Sequence, residues 1–587
     1  MQKLRAEMAD DGLDAFLVPR GDAHQGEYVA PSDERLAWLT GFTGSAGFAA
    51  VLTDRAAVFA DGRYTIQLRA QIDPQVFEPV DWPGTLLSNW LCDALSPGDL
   101  VGFDPWLHTV SEIEDMREKL SACQVEMTES LNLIDRIWPD RPGRPTAPVT
   151  GWPIELAGQA HRAKRDSIAA DMVREGHKAT VLTLTDSVAW LLNIRGGDVP
   201  RTPVALAFAI LYNSGRAELF VDPAKTEGLE AHLGPNVKVV HPDQFEEALR
   251  QLEGPVCIDP ARAPHEVARI LAEARTEIVR QPDPVIARKA VKNAAEIAAT
   301  TDAHLRDGVA MCRFLRWLDR NTETMSGTAP LTEIDVVQAL EGFRHGTGEL
   351  RDVSFDTIAG AGPNGAIVHY RVTDNTNRPL ARGELLLVDS GGQYLDGTTD
   401  VTRTMAIGQP SAEHRACFTR VLQGMIAVCR TRFPRGLTGR DLDALARAPL
   451  WNAGQDYDHG TGHGVGVYLS VHEGPQGISR KNMVPLEPGM IISDEPGYYR
   501  AGAFGIRIEN LVLVEEAPEL DSADTRDMLS FRTLTLVPID RRLINTAMLS
   551  NGETEWLNGY HDLVRKRLTP LLGDETAGWL AKVTRPI

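Results

Sequence analysis

The sequence predicts a mixed α/β (α+β) chain: two related amino-terminal modules, followed by a larger segment built around two matched β-hairpins. Three observations carry this expectation. They are a repeated order of apolar runs in the first half, two proline-bearing breaks, and two apolar strands in the second half that each end in an acid and a glycine.

The breaks come first. A chain of 587 residues is too long for one hydrophobic core. Pro139, Pro142, Pro145 and Pro148 make a stiff, non-helical connector. Pro282 and Pro284 mark a second break, directly before a pattern in which Leu305, Val309, Cys312 and Leu315 recur at helical spacing. These features place domains at 1–137, 151–281 and 285–587.

The first two domains read as copies of one another. In the first, the strand-like run Ala15-Phe16-Leu17-Val18 precedes Asp33 and Ala37-Trp38-Leu39, and then the runs Phe48–Leu52 and Val58–Asp61. In the second, a run from Ala179 to Leu184 precedes Asp186 and Ala189-Trp190-Leu191, and then Ala207–Leu211 and Leu219–Asp222. Strand, acid, Ala-Trp-Leu and hairpin follow in the same order, which points to a duplication.

The third domain carries the chemistry. Leu385-Leu386-Leu387-Val388-Asp389 reads as a buried strand ending in an acid and a glycine turn. The β-branched return run Thr398–Met405 contains Asp400. The design recurs in Met490–Gly497, ending at Glu495, and in the return Ile506–Val514, which contains Glu509. Burying four carboxylates at strand ends is prohibitively costly unless a cation neutralises them, and hard divalent metals do so through oxygen ligands. Between the hairpins lies His459-Gly460-Thr461-Gly462-His463-Gly464-Val465-Gly466, followed by His472-Glu473-Gly474-Pro475. One histidine with four carboxylates is a plausible ligand set for two adjacent metals.

Composition narrows the partners. The net charge of -21 and the pI of about 5.2 disfavour nucleic acid and anionic membranes. No amino-terminal apolar core of signal-peptide type is present, and no apolar run is long enough to span a bilayer. The six cysteines are scattered without C-x-x-C spacing, so the expectation is reduced thiols in a cytoplasmic protein.

As an ordered series these stretches resemble the pita-bread metallopeptidases of family M24, the fold of methionine aminopeptidase, prolidase, aminopeptidase P and creatinase. The stretches are Val388–Tyr394, Asp396–Thr404, His459–Gly466, Asp494–Tyr499 and Gly505–Asn510. Within the family the chain most closely resembles the long, three-domain cytosolic aminopeptidase P branch, which hydrolyses amino-terminal X-Pro bonds. That resemblance implies two related creatinase-like amino-terminal domains and a pita-bread catalytic domain with pseudo-two-fold β-hairpins. It implies Asp389, Asp400, His463, Glu495 and Glu509 as metal ligands, with Asp400 and Glu509 bridging two ions. Manganese is the expected metal, with zinc or cobalt as alternatives.

The resemblance further implies His369, His459 and His472 as substrate-binding or oxyanion-stabilising histidines, attack by a metal-bridging hydroxide, and Glu495 as a proton relay. Tyr498 and Tyr499 are candidates for the proline pocket. Peptides with a penultimate proline are the expected substrates. A homodimer is expected, with Trp556, Leu557, Tyr560 and Leu563 either forming its contact or covering the chain's own core.

The rival readings are a prolidase acting on dipeptides, a creatinase-like amidinohydrolase, and a non-catalytic pita-bread binding module. The last two branches lose metal ligands that are present here. Gly360-Ala361-Gly362-Pro363-Asn364-Gly365 matches a dinucleotide pattern but is read as a loop, followed by a strand-like Ala366–His369. His24 and Glu27 are read as a polar loop.

Overall fold

The computed structural model describes residues 1–324, 330–521 and 523–587. It forms two compact units, Met1–Ile286 and Ala287–Ile587.

The first unit contains two six-stranded sheets. One comprises β1 (Ala15–Pro19), β2 (Phe48–Leu52), β3 (Ala56–Ala60), β4 (Glu78–Asp81), β5 (Leu100–Phe103) and β6 (Glu126–Glu129). The other comprises β7 (Ala179–Leu182), β8 (Phe208–Tyr212), β9 (Ala217–Phe220), β10 (Val237–Val240), β11 (Val256–Ile258) and β12 (Ile278–Arg280). Their orders are β4-β3-β2-β1-β5-β6 and β10-β9-β8-β7-β11-β12, the same arrangement twice. In both, the first hairpin strand pairs antiparallel with the first strand and with the second hairpin strand, while the first strand's other neighbour and the outer pairs are parallel. Helices Arg35–Thr40 and Thr185–Leu192 carry the two Ala-Trp-Leu motifs. The central strands are apolar on both faces because each sheet is covered on both sides; β1 sends Phe16 and Val18 into one cluster and Ala15 and Leu17 into another.

One expectation fails here. Cys92 and Cys123 form a disulfide with Cα atoms 5.7 Å apart, although they are scattered in sequence. Cys92 lies on helix Leu87–Ala94 and Cys123 follows helix Val110–Ser121, and packing of these helices on one sheet face brings the sulfurs together. The other four cysteines are buried and free.

The second unit is built from two halves of like order. The first half contains helices α1 (Ala294–Thr324) and α2 (Glu333–His345), then strands β13 (Ile358–Ala361), β14 (Leu385–Ser390) and β15 (Val401–Ala406), paired in that order. The second contains α3 (Ala412–Cys429) and α4 (Gly439–Trp451). Besides the short edge strand Arg432–Pro434, its strands are β16 (Gly462–Gly464), β17 (Glu473–Ile478), β18 (Ile491–Asp494), β19 (Gly497–Arg500), β20 (Phe504–Arg507), β21 (Asn510–Glu516) and β22 (Met528–Thr533). Its core order β16-β18-β21 repeats β13-β14-β15.

Residue landmarks repeat as well. Thr332 and Thr438 cap α2 and α4 through capping boxes closed by Asp335 and Asp441. Each capping threonine bridges a proline, Pro379 or Pro485. Each chain then turns through a glycine with φ near the left-handed region, +93° at Gly383 and +96° at Gly489, before entering β14 or β18. Thr332/Thr438, Pro379/Pro485, Gly383/Gly489 and Asp389/Glu495 are all separated by the same number of residues.

α1 confirms the helical spacing. Val309, Cys312 and Leu315 are buried and Leu305 packs against the core. At the carboxy-terminal end, Leu557 and Tyr560 of helix α5 (Asn551–Leu568) are buried in the unit's own core. Trp556 packs against it, stacked on Tyr560, and Leu563 is exposed. No helix among the described residues is long and apolar enough to cross a membrane.

The G-x-G-x-x-G segment is only partly a loop. Gly360 and Ala361 end β13, and Gly362–Ala366 form a 3₁₀ turn. The expected strand over Ala366–His369 is absent; a turn stands there instead. The reason is close packing: a Cβ at Gly505 would lie 1.7 Å from the Gly365 carbonyl oxygen, so the turn lies directly on the β19–β20 hairpin.

Candidate metal centre

The acids converge because hairpin register and strand breaks direct them to one place. In β14–β15 the register pairs Asp389 with Thr402, so Asp389, next to last in its strand, lies beside the start of the return strand, which begins immediately after Asp400. In the second half the ladder is interrupted. β18 stops at Asp494 and β19 begins at Gly497; β20 stops at Arg507 and β21 begins at Asn510. Glu495 and Glu509 lie in these interruptions. The interruption also corrects the expected single hairpin, which is two ladders joined end to end.

His463 lies on β16, with its backbone N–H bonded to the Ser493 hydroxyl at 2.9 Å. Its Nδ1 is 3.0 Å from the Gly464 carbonyl, which leaves Nε2 facing the acids. Nε2 is 3.5 Å from Asp400 and 3.3 Å from Glu495. Ligand atoms of Asp400, His463 and Glu509 all lie within 4.8 Å of one another. Glu495 joins this group through His463, and Asp389 joins through a residue not singled out from sequence, Arg507.

Arg507 is buried and holds Asp389 at 2.6 Å, with Glu495 at 4.0 Å. Its Nε donates to the Thr402 hydroxyl at 3.2 Å and its Nη1 to the Tyr499 hydroxyl at 2.6 Å. The signal for it was present in sequence. In Gly505-Ile506-Arg507-Ile508-Glu509 the isoleucines alternate with Arg507 and Glu509, so the two charged residues share a face. Thr402 and Ser493 were missed as well. Thr402 donates to Glu509 Oε2 at 2.9 Å and Ser493 to Glu495 Oε1 at 3.1 Å.

Electrostatics mark the site as built for cations. Asp389 Oδ1, Asp400 Oδ1 and Glu509 Oε1 are buried and accept no hydrogen bond from the described residues. Burial pushes Asp389 up to about 6, with Arg507 opposing and Asp400 and Glu495 adding to the rise. Glu495 is raised by burial against the pull of His463. Glu509 is raised well above the ordinary range by burial and by the neighbouring Asp400 and Glu495. Burial alone lowers His463, yet hydrogen bonding to Asp400 and the charges of Glu495 and Asp400 hold it up to about 9. Four carboxylates and one guanidinium leave three formal negative charges when His463 is neutral. One divalent ion leaves one negative charge uncompensated, whereas two compensate all three and leave one positive charge for an anionic ligand. The donor set, four oxygen groups and one imidazole, therefore fits two divalent metals.

The candidate substrate histidines are all half-buried. His459 bonds Tyr499 at 2.9 Å through Nε2, and its Nδ1 is 2.7 Å from the Gly460 carbonyl. The His472 ring meets His463 edge-on, centroids 4.4 Å apart. His369 lies in the turn after Gly362–Ala366, next to Val368, whose carbonyl accepts from Arg507. The two tyrosines separate by strand alternation on β19. Tyr499 turns toward Arg507 and His459, whereas the half-buried Tyr498 packs near Phe504, so it does not join Tyr499 at these site residues. Asp494 likewise points away from Glu495, toward Cys429. His24 bonds the Thr183 carbonyl and Glu27 accepts from Ser45, as a polar loop requires.

Comparisons with known proteins show the family. The description "Metallopeptidase family M24" matches residues 298–516, and "C-terminal region of peptidase_M24" matches 527–587. "Creatinase/Prolidase N-terminal domain" matches twice, over 1–137 and 140–296. Aminopeptidase P2 of Arabidopsis thaliana is 38% identical over 98% of this chain and 86% of its own. A probable Xaa-Pro aminopeptidase P of Laccaria bicolor is 38% identical over 100% of this chain and 93% of its own. A solved X-prolyl aminopeptidase of Caenorhabditis elegans, described as a cytosolic enzyme with a di-nuclear active site, superposes with a TM-score of 0.93. It is 33% identical and covers 98% of this chain and 95% of its own.

Proposed function

Because this chain belongs to metallopeptidase family M24, we propose that it is a metal-dependent aminopeptidase hydrolysing the bond between an amino-terminal residue and a penultimate proline. The observation that carries the catalytic part is the set of three buried carboxylate oxygens without donors among the described residues, on Asp389, Asp400 and Glu509, beside a histidine whose Nε2 faces Asp400 and Glu495. The proline specificity comes from relatives named for it that match this chain over nearly its full length.

Asp389, Asp400, His463, Glu495 and Glu509 would hold the two metals. The mostly oxygen donor set favours manganese over zinc or cobalt. Bound there, two divalent ions lower the pKa of an attacking water and polarise the scissile carbonyl. The chain's own groups do the rest. Glu495 lies between His463 and Arg507 and is placed to carry a proton from the water toward the leaving proline nitrogen. His369, His459 and His472 bind the peptide and the developing oxyanion, with His459 steadied by Tyr499.

The reading places the enzyme in the cytoplasm, with peptides rather than nucleic acid or membranes as partners. The description of the C. elegans relative and the acidic charge support it. The homodimer rests on the family resemblance; Leu557 and Tyr560 turn inward, leaving Leu563 as the exposed member of the residues singled out for it.

The test is to strip the protein with chelator, restore manganese or zinc separately, and follow release of arginine from Arg-Pro-Pro and Arg-Ala-Ala. Cleavage of the proline peptide alone, lost on chelation and in Asp400→Ala, is the expected result. Cleavage confined to X-Pro dipeptides would move the substrate to the prolidase class, and failure to bind metal would end the enzymatic reading.

A further inference from the structure

Beside the metal centre lies a buried ionic cluster that the mechanism does not use. Glu473 is fully buried between two lysines that are themselves almost fully buried. Lys289 Nζ lies 2.8 Å from Oε2 and Lys292 Nζ lies 2.5 Å from Oε1. Lys292 Nζ also donates to the Lys289 carbonyl at 2.9 Å. Taking three charges out of water is expensive, and an apolar staple of equal volume serves stability as well or better. The arrangement therefore calls for a geometric reason.

That reason is legible in what Glu473 touches. It directly follows His472 and pairs with Gly464, the residue after His463, in the β16–β17 register. A Cβ at Gly464 would lie 2.1 Å from the Glu473 carbonyl oxygen, and one at Gly466 would lie 2.9 Å from its Oε2. The backbone and carboxylate of Glu473 are thus pressed against the glycine run that follows His463. Locked there, the chain presents the His472 ring edge-on to His463, at 4.4 Å and 83°. The lysine segment is fixed in turn, since the Lys292 N–H donates to the Gly489 carbonyl at 3.0 Å, at the turn that opens β18 and leads to Glu495.

We infer that Glu473, gripped by Lys289 and Lys292, is the positioning residue of His472, setting that imidazole against the His463 side of the metal centre. The inference rests on the proposed substrate-binding role of His472. Glu473 touches neither metal nor substrate and acts through its neighbour.

A double-mutant cycle tests it. Glu473→Gln and His472→Ala are each expected to lower kcat on Arg-Pro-Pro by about tenfold or more, with KM and metal content little changed. The double variant should fall no further than His472→Ala alone, because one effect runs through the other. Glu473→Asp should recover part of the loss. Lys292→Met, which leaves the Lys289–Glu473 pair in place, carries the same cycle should Glu473→Gln not fold. Independently of turnover, the ring signals of His472 in ¹⁵N-histidine-labelled protein should move in Lys292→Met while those of His459 stay. Additive kcat losses, loss of metal in step with activity, or an unmoved His472 signal would each overturn the inference. An inactive wild type with a moved His472 signal would count against the substrate reading alone.

Discussion

The Arg507 guanidinium lies 2.6 Å from the Asp389 carboxylate, so the candidate metal centre contains a cation of its own before any ion binds. The same side chain reaches Thr402, Tyr499 and the Val368 carbonyl, which ties both halves of the unit and the His369 turn to one group. Arg507→Met therefore strands a buried acid. The chelated protein should lose about 3–5 kcal/mol, the usual cost of breaking a buried pair from one side. The metal-loaded protein should lose clearly less, because the ions then supply the missing charge. Thermal melts with chelator and with manganese measure this, and equal losses in the two states would refute it.

The stabilisation by metal should grow with pH. Asp389 is held up to about 6 in the folded chain, above the ordinary 3.8, so the folded state keeps a proton that the unfolded state releases between roughly pH 4 and 6. Stability of the chelated form contributed by that group is present below this window and is lost across it as pH rises. His463, held up to about 9, acts in the same direction between its ordinary 6.5 and 9. Metal binding displaces both protons. The gap in melting temperature between loaded and chelated protein is accordingly expected to widen from pH 5 to pH 8, while groups that titrate alike in both states cancel. A constant gap would count against this assignment of the site.

Thr402 orients Glu509 through the 2.9 Å bond from its hydroxyl. Thr402→Val keeps shape and removes that bond, and it should weaken metal affinity by about 10–100-fold, as loss of such outer partners does. Thr402→Ser should restore it. Titration with a competing metal indicator decides the matter.

Behind the first hairpin, Arg344 and Asp307 form a buried pair at 2.8 Å, and Arg344 also bonds the Ser390 hydroxyl and carbonyl, directly after Asp389. Arg344 draws the Asp307 carboxyl below its ordinary range despite burial. Stability from this group is thus present above the usual aspartate pKa and is lost as pH falls below it. Arg344→Met should cost about 3–5 kcal/mol in urea denaturation at neutral pH, and adding Asp307→Leu should recover much of it. No recovery would mean that Arg344 acts through Ser390 rather than through Asp307.

Legible in the sequence were the family, the repeated order of the first two modules, and the acids that converge with His463. Those features are local: an apolar run ending in an acid and a glycine reads as a strand tip whatever surrounds it, as Asp389 and Glu495 show. Tertiary structure alone decided four things. It joined Cys92 to Cys123, because two helices pack on one face of a sheet. It separated Tyr498 from Tyr499, because neighbours on a strand face opposite sides. It turned Leu557 and Tyr560 into the core, because an apolar helix face does not state what will cover it. Finally, it brought Arg507 to Asp389 and the two lysines to Glu473, since a charge chooses its partner by position in space, and residues far apart along the chain carry no pattern that announces the pairing.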